Sequence, residues 1–234
     1  MFNFKEFSIN QDKTAMKVGT DGVLLGAWTS IKTKPYSILD IGTGTGLIAL
    51  QFAQRCDAEL IDALEIDNNA YEQAVENFEQ SNWSDRLFCY HASLAEFVDE
   101  IDDKYDLIVS NPPFYTDEYK SDDKQRNQAR FTDSLSFDEL LESASLLLSK
   151  SGIFSVIIPF KEEETFLQLA KEYNLFTNRI CRVKGNVNSQ IKRSLIEMSF
   201  NKTNIIEEEL TIEIERHKYT KEYTDLVKDF YLKM

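Results

Sequence analysis

Short apolar runs and longer amphipathic segments alternate along most of the chain. Apolar runs of strand length occupy residues 36–41, 58–66, 86–91, 105–110 and 152–159. Segments with the 3.6-residue apolar period of a helix separate these runs. Because strands that alternate with helices favour parallel pairing with helices on both faces, the pattern predicts a doubly wound α/β fold.

The predicted helices are identified by apolar stripes and, in one place, by a capping pattern. Ser136 and Glu139 have the spacing of a capping box, which predicts a helix start. The predicted helices cover residues 46–55, 70–78, 94–101, 136–148 and 161–173. The first four each connect two predicted strands, as the crossovers of a parallel sheet require.

After residue 174 the apolar runs follow one another without long helices between them. The elements predicted there are strands at 175–183, 189–200 and 209–216 and a short helix at 220–231. We therefore expect a mostly parallel sheet with an antiparallel edge strand. The expected organisation is a single domain with a capping segment (1–34), a core (35–202) and a C-terminal extension (203–234).

Three glycines stand between the first predicted core strand and its helix. Gly42, Gly44 and Gly46 leave the backbone of this turn open to close approach, which suggests a ligand lying across it. A dinucleotide-binding turn has its third glycine at the sixth position, and that position here is Leu47. The spacing therefore disfavours a nicotinamide cofactor.

The apolar run at 105–110 leads directly into Asn111-Pro112-Pro113-Phe114. Proline has no backbone N–H and cannot continue an inner strand, so the sheet must stop there. Ligands of doubly wound sheets bind at the carboxyl ends of the strands. The tetrad and the glycine turn are therefore expected to share one site, covered by the polar segment 115–135, which we predict to be a mobile loop.

Composition limits the class of protein. The 234 residues are 42% hydrophobic, enough for one large core. No apolar run is long enough to span a membrane and the N-terminus lacks a secretion-signal pattern, so we expect a cytoplasmic protein. The histidines and cysteines lack the spacing of metal ligands, so no metal site is expected.

The charge of the chain is strongly negative but unevenly distributed. A formal net charge of −14 argues against broad, nonspecific affinity for nucleic acid. Residues 179–193 nevertheless hold five basic and no acidic side chains, and residues 207–215 hold five acidic and no basic ones. A polyanion can therefore dock locally, although both runs are also typical of solvated faces.

The glycine turn, in the stretch Leu-Asp-Ile-Gly-Thr-Gly-Thr-Gly, resembles the first motif of class I S-adenosylmethionine-dependent methyltransferases, whose fold is Rossmann-like. The resemblance implies that Glu65, after the second core strand, binds the ribose hydroxyls of S-adenosylmethionine. Asp67 nearby has an alternative role as a helix N-cap, which we favour. The cofactor-binding residues expected from the resemblance are Thr20, Asp40, Gly42, Thr43, Gly44, Gly46, Glu65, Ile66, Ser93, Leu94 and Asn111. Ser93 stands where related enzymes often carry an acidic residue for the adenine.

The tetrad at 111–114 resembles the (Asn/Asp/Ser)-Pro-Pro-(Phe/Tyr) motif of amino-methyltransferases. The lone pair of an exocyclic amino nitrogen is delocalised into its ring, so the nitrogen is a poor nucleophile. The Asn111 amide oxygen and the Pro112 carbonyl can accept hydrogen bonds from the N–H groups of this amino nitrogen and direct its lone pair to the methyl donor. Pro113 stiffens the turn and Phe114 stacks on a flat substrate. These four residues are the predicted catalytic residues.

The N-terminal stretch Lys-Val-Gly-Thr-Asp-Gly-Val-Leu-Leu-Gly-Ala-Trp at 17–28 is similar to that of bacterial tRNA1(Val) adenine-37 N6-methyltransferases. Thr20 or Asp21 is predicted to cap a helix beginning near Gly22. The resemblance implies a monomeric enzyme with a tRNA substrate and no membrane partner. The residues expected to hold the RNA phosphates are Lys120, Lys124, Arg126, Arg130, Arg179, Arg182, Lys184, Lys192 and Arg193.

Two other classes of function stay open on the sequence alone. The same tetrad serves methyltransferases that act on guanine N2 of ribosomal RNA or on protein glutamine. A second class is a cofactor-binding RNA scaffold without catalysis. An Asn111→Ala variant separates an enzyme from a scaffold, because it removes methyl transfer from the first and leaves RNA binding in the second.

Overall fold

The computed structural model describes residues 1–113 and 135–234. The predicted loop at 115–135 lies outside the described residues, apart from Leu135. Five predicted site residues also lie outside them: Phe114, Lys120, Lys124, Arg126 and Arg130.

The strands and helices between residues 20 and 215 follow the order that the hydrophobic pattern predicts, whereas the two-residue strands at 2–3, 8–9 and 218–219 were not predicted. The strands are β1 (Phe2–Asn3), β2 (Ser8–Ile9), β3 (Ser37–Ile41), β4 (Leu60–Glu65), β5 (Leu87–His91), β6 (Tyr105–Ser110), β7 (Leu148–Pro159), β8 (Phe176–Asn186), β9 (Ile191–Ser199), β10 (Ile206–Glu215) and β11 (Lys218–Tyr219). The helices are α1 (Thr20–Trp28), α2 (Leu47–Arg55), α3 (Asn68–Glu79), α4 (Leu94–Glu100), α5 (Phe137–Leu147), α6 (Glu163–Glu172) and α7 (Lys221–Val227). A short 3-10 turn, Phe160–Glu162, precedes α6.

Within the described residues, one nine-stranded sheet has the order β11-β10-β8-β9-β7-β6-β3-β4-β5. Strands β3 to β7 are parallel. Strand β9 runs against both of its neighbours, and the edge strand β11 runs against β10. The mostly parallel Rossmann-like sheet with an antiparallel edge strand is therefore confirmed.

Helices cover both faces of the sheet. Ile38 and Leu39, adjacent on β3 and both fully buried, belong to different hydrophobic clusters because successive strand residues point to opposite faces. One cluster joins the sheet to α1, α2, α3 and α7, and the other joins it to α4, α5 and α6. Every residue of β3 is buried, which places this strand at the centre of the fold.

The start of α1 differs from the prediction. The helix begins at Thr20 with Gly19 as N-cap, and no side chain caps it, so the predicted capping by Thr20 or Asp21 is wrong. Asp21 instead accepts a hydrogen bond from Nε of Arg193 on β9, at 2.7 Å. The Asp21 carboxylate therefore forms a long-range ion pair instead of the predicted helix cap.

The segment before α1 is fastened to α3. The Asn10 N–H donates to Asn77 Oδ1 at 2.8 Å, and the Lys13 N–H donates to Gln73 Oε1 at 3.1 Å. The Asn77 amide donates to Asn10 O at 3.0 Å and to Thr45 O at 2.8 Å. Because Thr45 belongs to the glycine turn, this buried amide holds the N-terminal segment against the turn.

Candidate active site

Three neighbouring strands end side by side and bring the predicted site residues together. In the β6-β3-β4 part of the sheet, Ile41 pairs with Ser110 on one side and with Leu64 on the other. The glycine turn after β3 therefore lies between Asn111 and Glu65. The strand order reverses between β3 and β6, which is the point where doubly wound sheets bind their ligands.

The three glycines of the turn have different roles. Gly42, Gly44 and Gly46 have φ angles of 71°, 60° and 81°, all in the left-handed region that favours glycine. A Cβ added at Gly42 or Gly44 would meet no atom within 4 Å, so the backbone faces open space there. A Cβ at Gly46 would lie 2.4 Å from the buried Phe78 ring, so Gly46 serves close packing of α2 against α3. Contact of the Gly46 backbone with a ligand stays a prediction from the sequence.

Two backbone N–H groups hold the Glu65 carboxylate at the edge of the turn and leave some of its acceptor positions open. Its carboxylate accepts from the Gly44 N–H at 2.8 Å and from the Asp67 N–H at 2.9 Å. A carboxylate has about four acceptor positions, so about two remain for a ligand. Asp67 Oδ1 accepts from the Ala70 N–H at 2.9 Å, which confirms its role as the N-cap of α3.

An apolar surface adjoins Glu65. The side chain of Ile66 is 58% exposed, an unusual exposure for isoleucine beside a strand end. The rings of Tyr71 and His91 stack behind it with centroids 5.1 Å apart, and His91 Nε2 lies 3.0 Å from Ile66 O. The surface suits the flat face of a heteroaromatic ligand.

Ser93 has a structural role at the start of α4. It caps α4 in a full capping box: its Oγ accepts from the Glu96 N–H at 3.2 Å and donates to Glu96 Oε2 at 2.7 Å. The Ser93 backbone N–H also donates to Glu96 Oε2 at 2.9 Å, and this bond, followed by the hydroxyl bond, lowers the pKa of Glu96. The Ser-x-x-Glu spacing is typical of such a box, so capping alone explains a serine at position 93. Contact of Ser93 with the cofactor adenine stays a prediction from the sequence. Leu94, which follows it, is buried in the core.

The buried side chain of Asp40 stabilises the glycine turn by hydrogen bonds. It is fully buried, and its Oδ2 accepts from Thr43 Oγ1 at 2.6 Å and from the Ala49 N–H at 3.2 Å. Its Oδ1 has no hydrogen-bond partner within the described residues. Burial raises the pKa of Asp40 to about 7. Asp40 and Thr43 therefore position the turn, and direct contact of either residue with the cofactor stays a prediction from the sequence.

The buried Asp40 predicts a specific dependence of stability on pH. Its pKa in the folded chain, about 7, lies above the reference value of 3.8, so between these values the folded chain keeps a proton that the unfolded chain has lost. The contribution of Asp40 to the free energy of unfolding therefore falls as pH rises from about 4 to about 7, by up to about 1.4 kcal/mol per pH unit. Relative to the wild type, an Asp40→Asn variant should gain stability over this range and level off above it. Urea unfolding at each pH measures the difference, and parallel stability curves for the two proteins would contradict the assignment.

The end of β6 is fixed to β3 and faces the start of α1. Ser110 Oγ donates to Ile41 O at 2.9 Å, Pro112 is buried, and Asn111 is half-buried. A Cβ added at Gly22 would lie 3.1 Å from Leu47 and 4.0 Å from Asn111 Nδ2. The first turn of α1, which begins with the exposed Thr20, therefore lies beside Asn111.

Comparisons with known proteins agree with this geometry. The family model described as "Methyltransferase small domain" matches residues 23–168. Two proteins named tRNA1(Val) (adenine(37)-N6)-methyltransferase, from Flavobacterium johnsoniae and Flavobacterium psychrophilum, are 63% and 64% identical to this chain and cover 100% of it, with 100% of their own length matched. The chain belongs to the family of these methyltransferases. The resemblance read from its motifs is confirmed.

Solved structures share the fold of this methyltransferase at low sequence identity. A predicted O-methyltransferase from Agrobacterium tumefaciens superposes with a TM-score of 0.67 at 15% identity, over 90% of this chain and 96% of that one. A putative RNA methyltransferase from Pyrococcus horikoshii gives 0.57 at 14% identity, over 83% and 91%. These likenesses support the fold alone.

The cations at 179–193 of this methyltransferase form ion pairs, most of them with the glutamates at 207–209. Strand β10 pairs with β8 in parallel and places Glu207, Glu208 and Glu209 beside the β8 cations. The resulting ion pairs are Arg179–Glu208 at 2.8 Å, Arg182–Glu207 at 2.7 Å, Arg182–Glu163 at 2.7 Å, Lys184–Glu209 at 2.8 Å and Arg193–Asp21 at 2.7 Å. Arg179, Arg182, Lys184 and Arg193 therefore already have carboxylate partners, and their contact with RNA phosphates stays a prediction from the sequence. Lys192, also in the predicted set, is exposed.

Sequence reasoning did not find the residues that hold the N-terminal segment in place. Gln73 and Asn77 are 0% and 2% exposed although both are polar. Their spacing of four residues places them on one side of α3, and buried polar side chains need partners. A polar pair at that spacing beside an apolar stripe was the only signal in the sequence.

Within the described residues, no helix has the length and apolar character needed to cross a membrane.

Proposed function

We propose that this methyltransferase transfers the methyl group of S-adenosylmethionine to N6 of an adenine in tRNA, adenine 37 of tRNA1(Val). The observation that supports the chemistry is the position of Asn111 and Pro112 at the end of β6, next to the open glycine turn. The choice of acceptor rests on the printed names of relatives that match the whole chain.

The residues at the turn fit the proposed cofactor. The open space beside Gly42 and Gly44 admits a ligand close to the backbone, and the remaining acceptor positions of Glu65 match the two hydroxyls of a ribose. The exposed Ile66 offers an apolar face to the adenine. Bound there, S-adenosylmethionine supplies an electrophilic methyl group on a sulfonium.

Asn111 and Pro112 prepare the acceptor nitrogen. The Asn111 amide oxygen and the Pro112 carbonyl oxygen each accept a hydrogen bond from one N–H of the exocyclic amino group. These two bonds favour a pyramidal nitrogen whose lone pair is free to attack the methyl carbon. Because the nitrogen becomes positively charged as the bond forms, two fixed acceptor dipoles stabilise the transition state more than the ground state. The carbon–sulfur bond to the methyl group would break as the nitrogen–carbon bond forms, leaving a neutral thioether. The cationic nitrogen is strongly acidic and loses its extra proton to water, so no strong base is required in the motif.

Glu65 provides a direct test of cofactor binding. Glutamine at this position has only one acceptor oxygen and sets N–H donors against the N–H of Gly44 or Asp67. We expect Glu65→Gln to raise the Kd for S-adenosylmethionine by roughly 10- to 100-fold, since bonds to a charged acceptor are lost. Calorimetric titration measures this. Glu59→Gln, an exposed glutamate next to the amino end of β4, is the matched control and should bind normally; equal affinity for both variants would contradict the assignment.

The proposed acceptor is tested by comparing methyl transfer to three acceptors in parallel reactions. Radiolabelled methyl from S-adenosylmethionine is offered in parallel to the tRNA1(Val) anticodon stem-loop, to ribosomal RNA and to a glutamine-containing protein acceptor. We expect label in the stem-loop, recovered as N6-methyladenosine after digestion. Label found only as N2-methylguanosine or in protein would contradict the proposal.

Three further features stay predictions from the sequence: the monomeric state, the cytoplasmic location, and the division into a capping segment, core and C-terminal extension.

A further inference from the structure

An aromatic cavity of about 750 Å³ lies between the two ends of the chain, outside the site described above. Its walls come from the N-terminal residues, the start of α1, β10, β11 and the C-terminal residues. Four aromatic side chains line it: Phe2, Tyr219, Tyr223 and Tyr231. We call it the terminal cavity.

A smaller cavity of about 260 Å³ adjoins the terminal cavity. The two share Thr20, Gly185 and Ile212 as wall residues, and the smaller one adds Lys192 and Arg193. An aromatic compartment therefore meets a basic one at the start of α1.

Both cavities lie at the same edge of the sheet as the proposed active site. Gly185 is near the carboxyl end of β8, a strand parallel to those that carry the site. Three interstrand spacings separate β8 from β6, a distance of about 14 Å. Thr20 lines both cavities, and two residues further on Gly22 lies beside Asn111. A strand of RNA whose target base is at Asn111 therefore reaches the cavities within a few nucleotides.

The chemistry of the terminal cavity suits a flat ring. Tyr219 is 38% exposed, and its ring is tilted by 36° to that of the buried Tyr223 at a centroid distance of 5.3 Å. Leu232, 58% exposed, adds apolar surface. Aromatic side chains beside cations are the common means by which proteins bind single-stranded nucleic acid, because every base has a face that can stack.

The charges around the two cavities are mixed, which argues for a local contact. Lys233 and Lys192 are basic, Glu213 is acidic, and Arg193 shares its charge with Asp21. Each cavity has one exposed lysine, Lys233 in the larger and Lys192 in the smaller, and a single lysine matches a single phosphate better than a long stretch of backbone.

We propose that the terminal cavity binds an unstacked nucleotide of the RNA substrate close to the target adenine, with its base on Tyr219 and its phosphate at Lys192. This inference rests on the proposed function, because it takes the substrate to be an RNA loop whose bases are splayed apart. It assigns a substrate-binding role to the C-terminal residues, which carry none of the predicted catalytic chemistry.

The test uses the full chain and an anticodon stem-loop with 2-aminopurine at each position flanking the target adenine in turn. Stacking on Tyr219 should quench the fluorescence at one of these positions. Tyr219→Ala should raise the Kd for the stem-loop by about 5- to 100-fold, and Tyr219→Phe should restore binding. Lys192→Gln should reduce the slope of log Kd against log salt by about 0.7. Tyr36→Ala, a 60% exposed tyrosine at the amino end of β3, is the matched control and should bind as the wild type does.

The outcomes separate this inference from the proposed function. The Kd for S-adenosylmethionine should be the same in the wild type and Tyr219→Ala, which excludes a general loss of folding. If the wild type methylates the stem-loop and Tyr219→Ala binds it equally well, the nucleotide site is wrong and the proposed function stands. If the wild type quenches the probe through Tyr219 but transfers no methyl, the site stands and the proposed function is wrong.

Discussion

Replacing Asn111 with alanine is expected to lower kcat for methyl transfer by roughly 10²- to 10³-fold, the usual effect of removing one preorganised group that stabilises a developing charge. The loss should fall on kcat more than on the affinity for S-adenosylmethionine, because in the proposed mechanism the amide oxygen accepts a hydrogen bond from the acceptor nitrogen. Single-turnover kinetics with saturating cofactor and RNA measure the chemical step directly.

An Asn111→Asp variant is the matched control for this prediction. Aspartate keeps an acceptor oxygen at the same place and belongs to the motif that the tetrad resembles, so it should retain far more activity than alanine. Unfolding curves show whether both variants are folded. Equal activity of Asn111→Ala and the wild type would remove Asn111 from the mechanism.

Replacing Gly46 with alanine is expected to lower the free energy of unfolding by roughly 2–5 kcal/mol. Two causes add: the φ of 81° strains any residue with a Cβ, and that Cβ would lie 2.4 Å from the Phe78 ring. Phe78 is 3% exposed and packed in the core, so its ring has little room to move away. Urea denaturation measures the change.

Two comparisons isolate the steric part of the Gly46 effect. Gly42→Ala carries a similar backbone strain but meets no atom within 4 Å, so it should cost clearly less stability. Adding Phe78→Ala to Gly46→Ala should recover part of the loss relative to the sum of the single variants. Equal costs for Gly42→Ala and Gly46→Ala would contradict the packing role of Gly46.

The centre of the sheet could be predicted well because its strands, such as β3 and β6, are buried on both faces. The apolar run predicted at 105–110 is β6, Tyr105–Ser110, and the neighbouring strands agree within a few residues. Continuous apolar runs between helical segments carry the information for a parallel core locally, without knowledge of distant contacts. The positions of the glycine turn, Glu65 and Asn111 then follow from strand order.

Contacts between distant parts of the chain are the features that the local sequence could not predict. Asp21 does not cap α1 because Arg193, 172 residues away, donates to its carboxylate. The basic run on β8 is neutralised because β10 pairs beside it, and local sequence does not specify which strands become neighbours. The capping box of Ser93 with Glu96 is a local feature, which the Ser-x-x-Glu spacing indicates without knowledge of distant contacts.

The central claim is tested most directly by methyl transfer to two full-length tRNA1(Val) transcripts, one with adenine at position 37 and one with guanine there. Radiolabelled S-adenosylmethionine is the donor, and nucleoside digestion identifies the modified atom. The account predicts label in the adenine transcript alone, recovered as N6-methyladenosine. Label in neither transcript, or equal label in both, would contradict it.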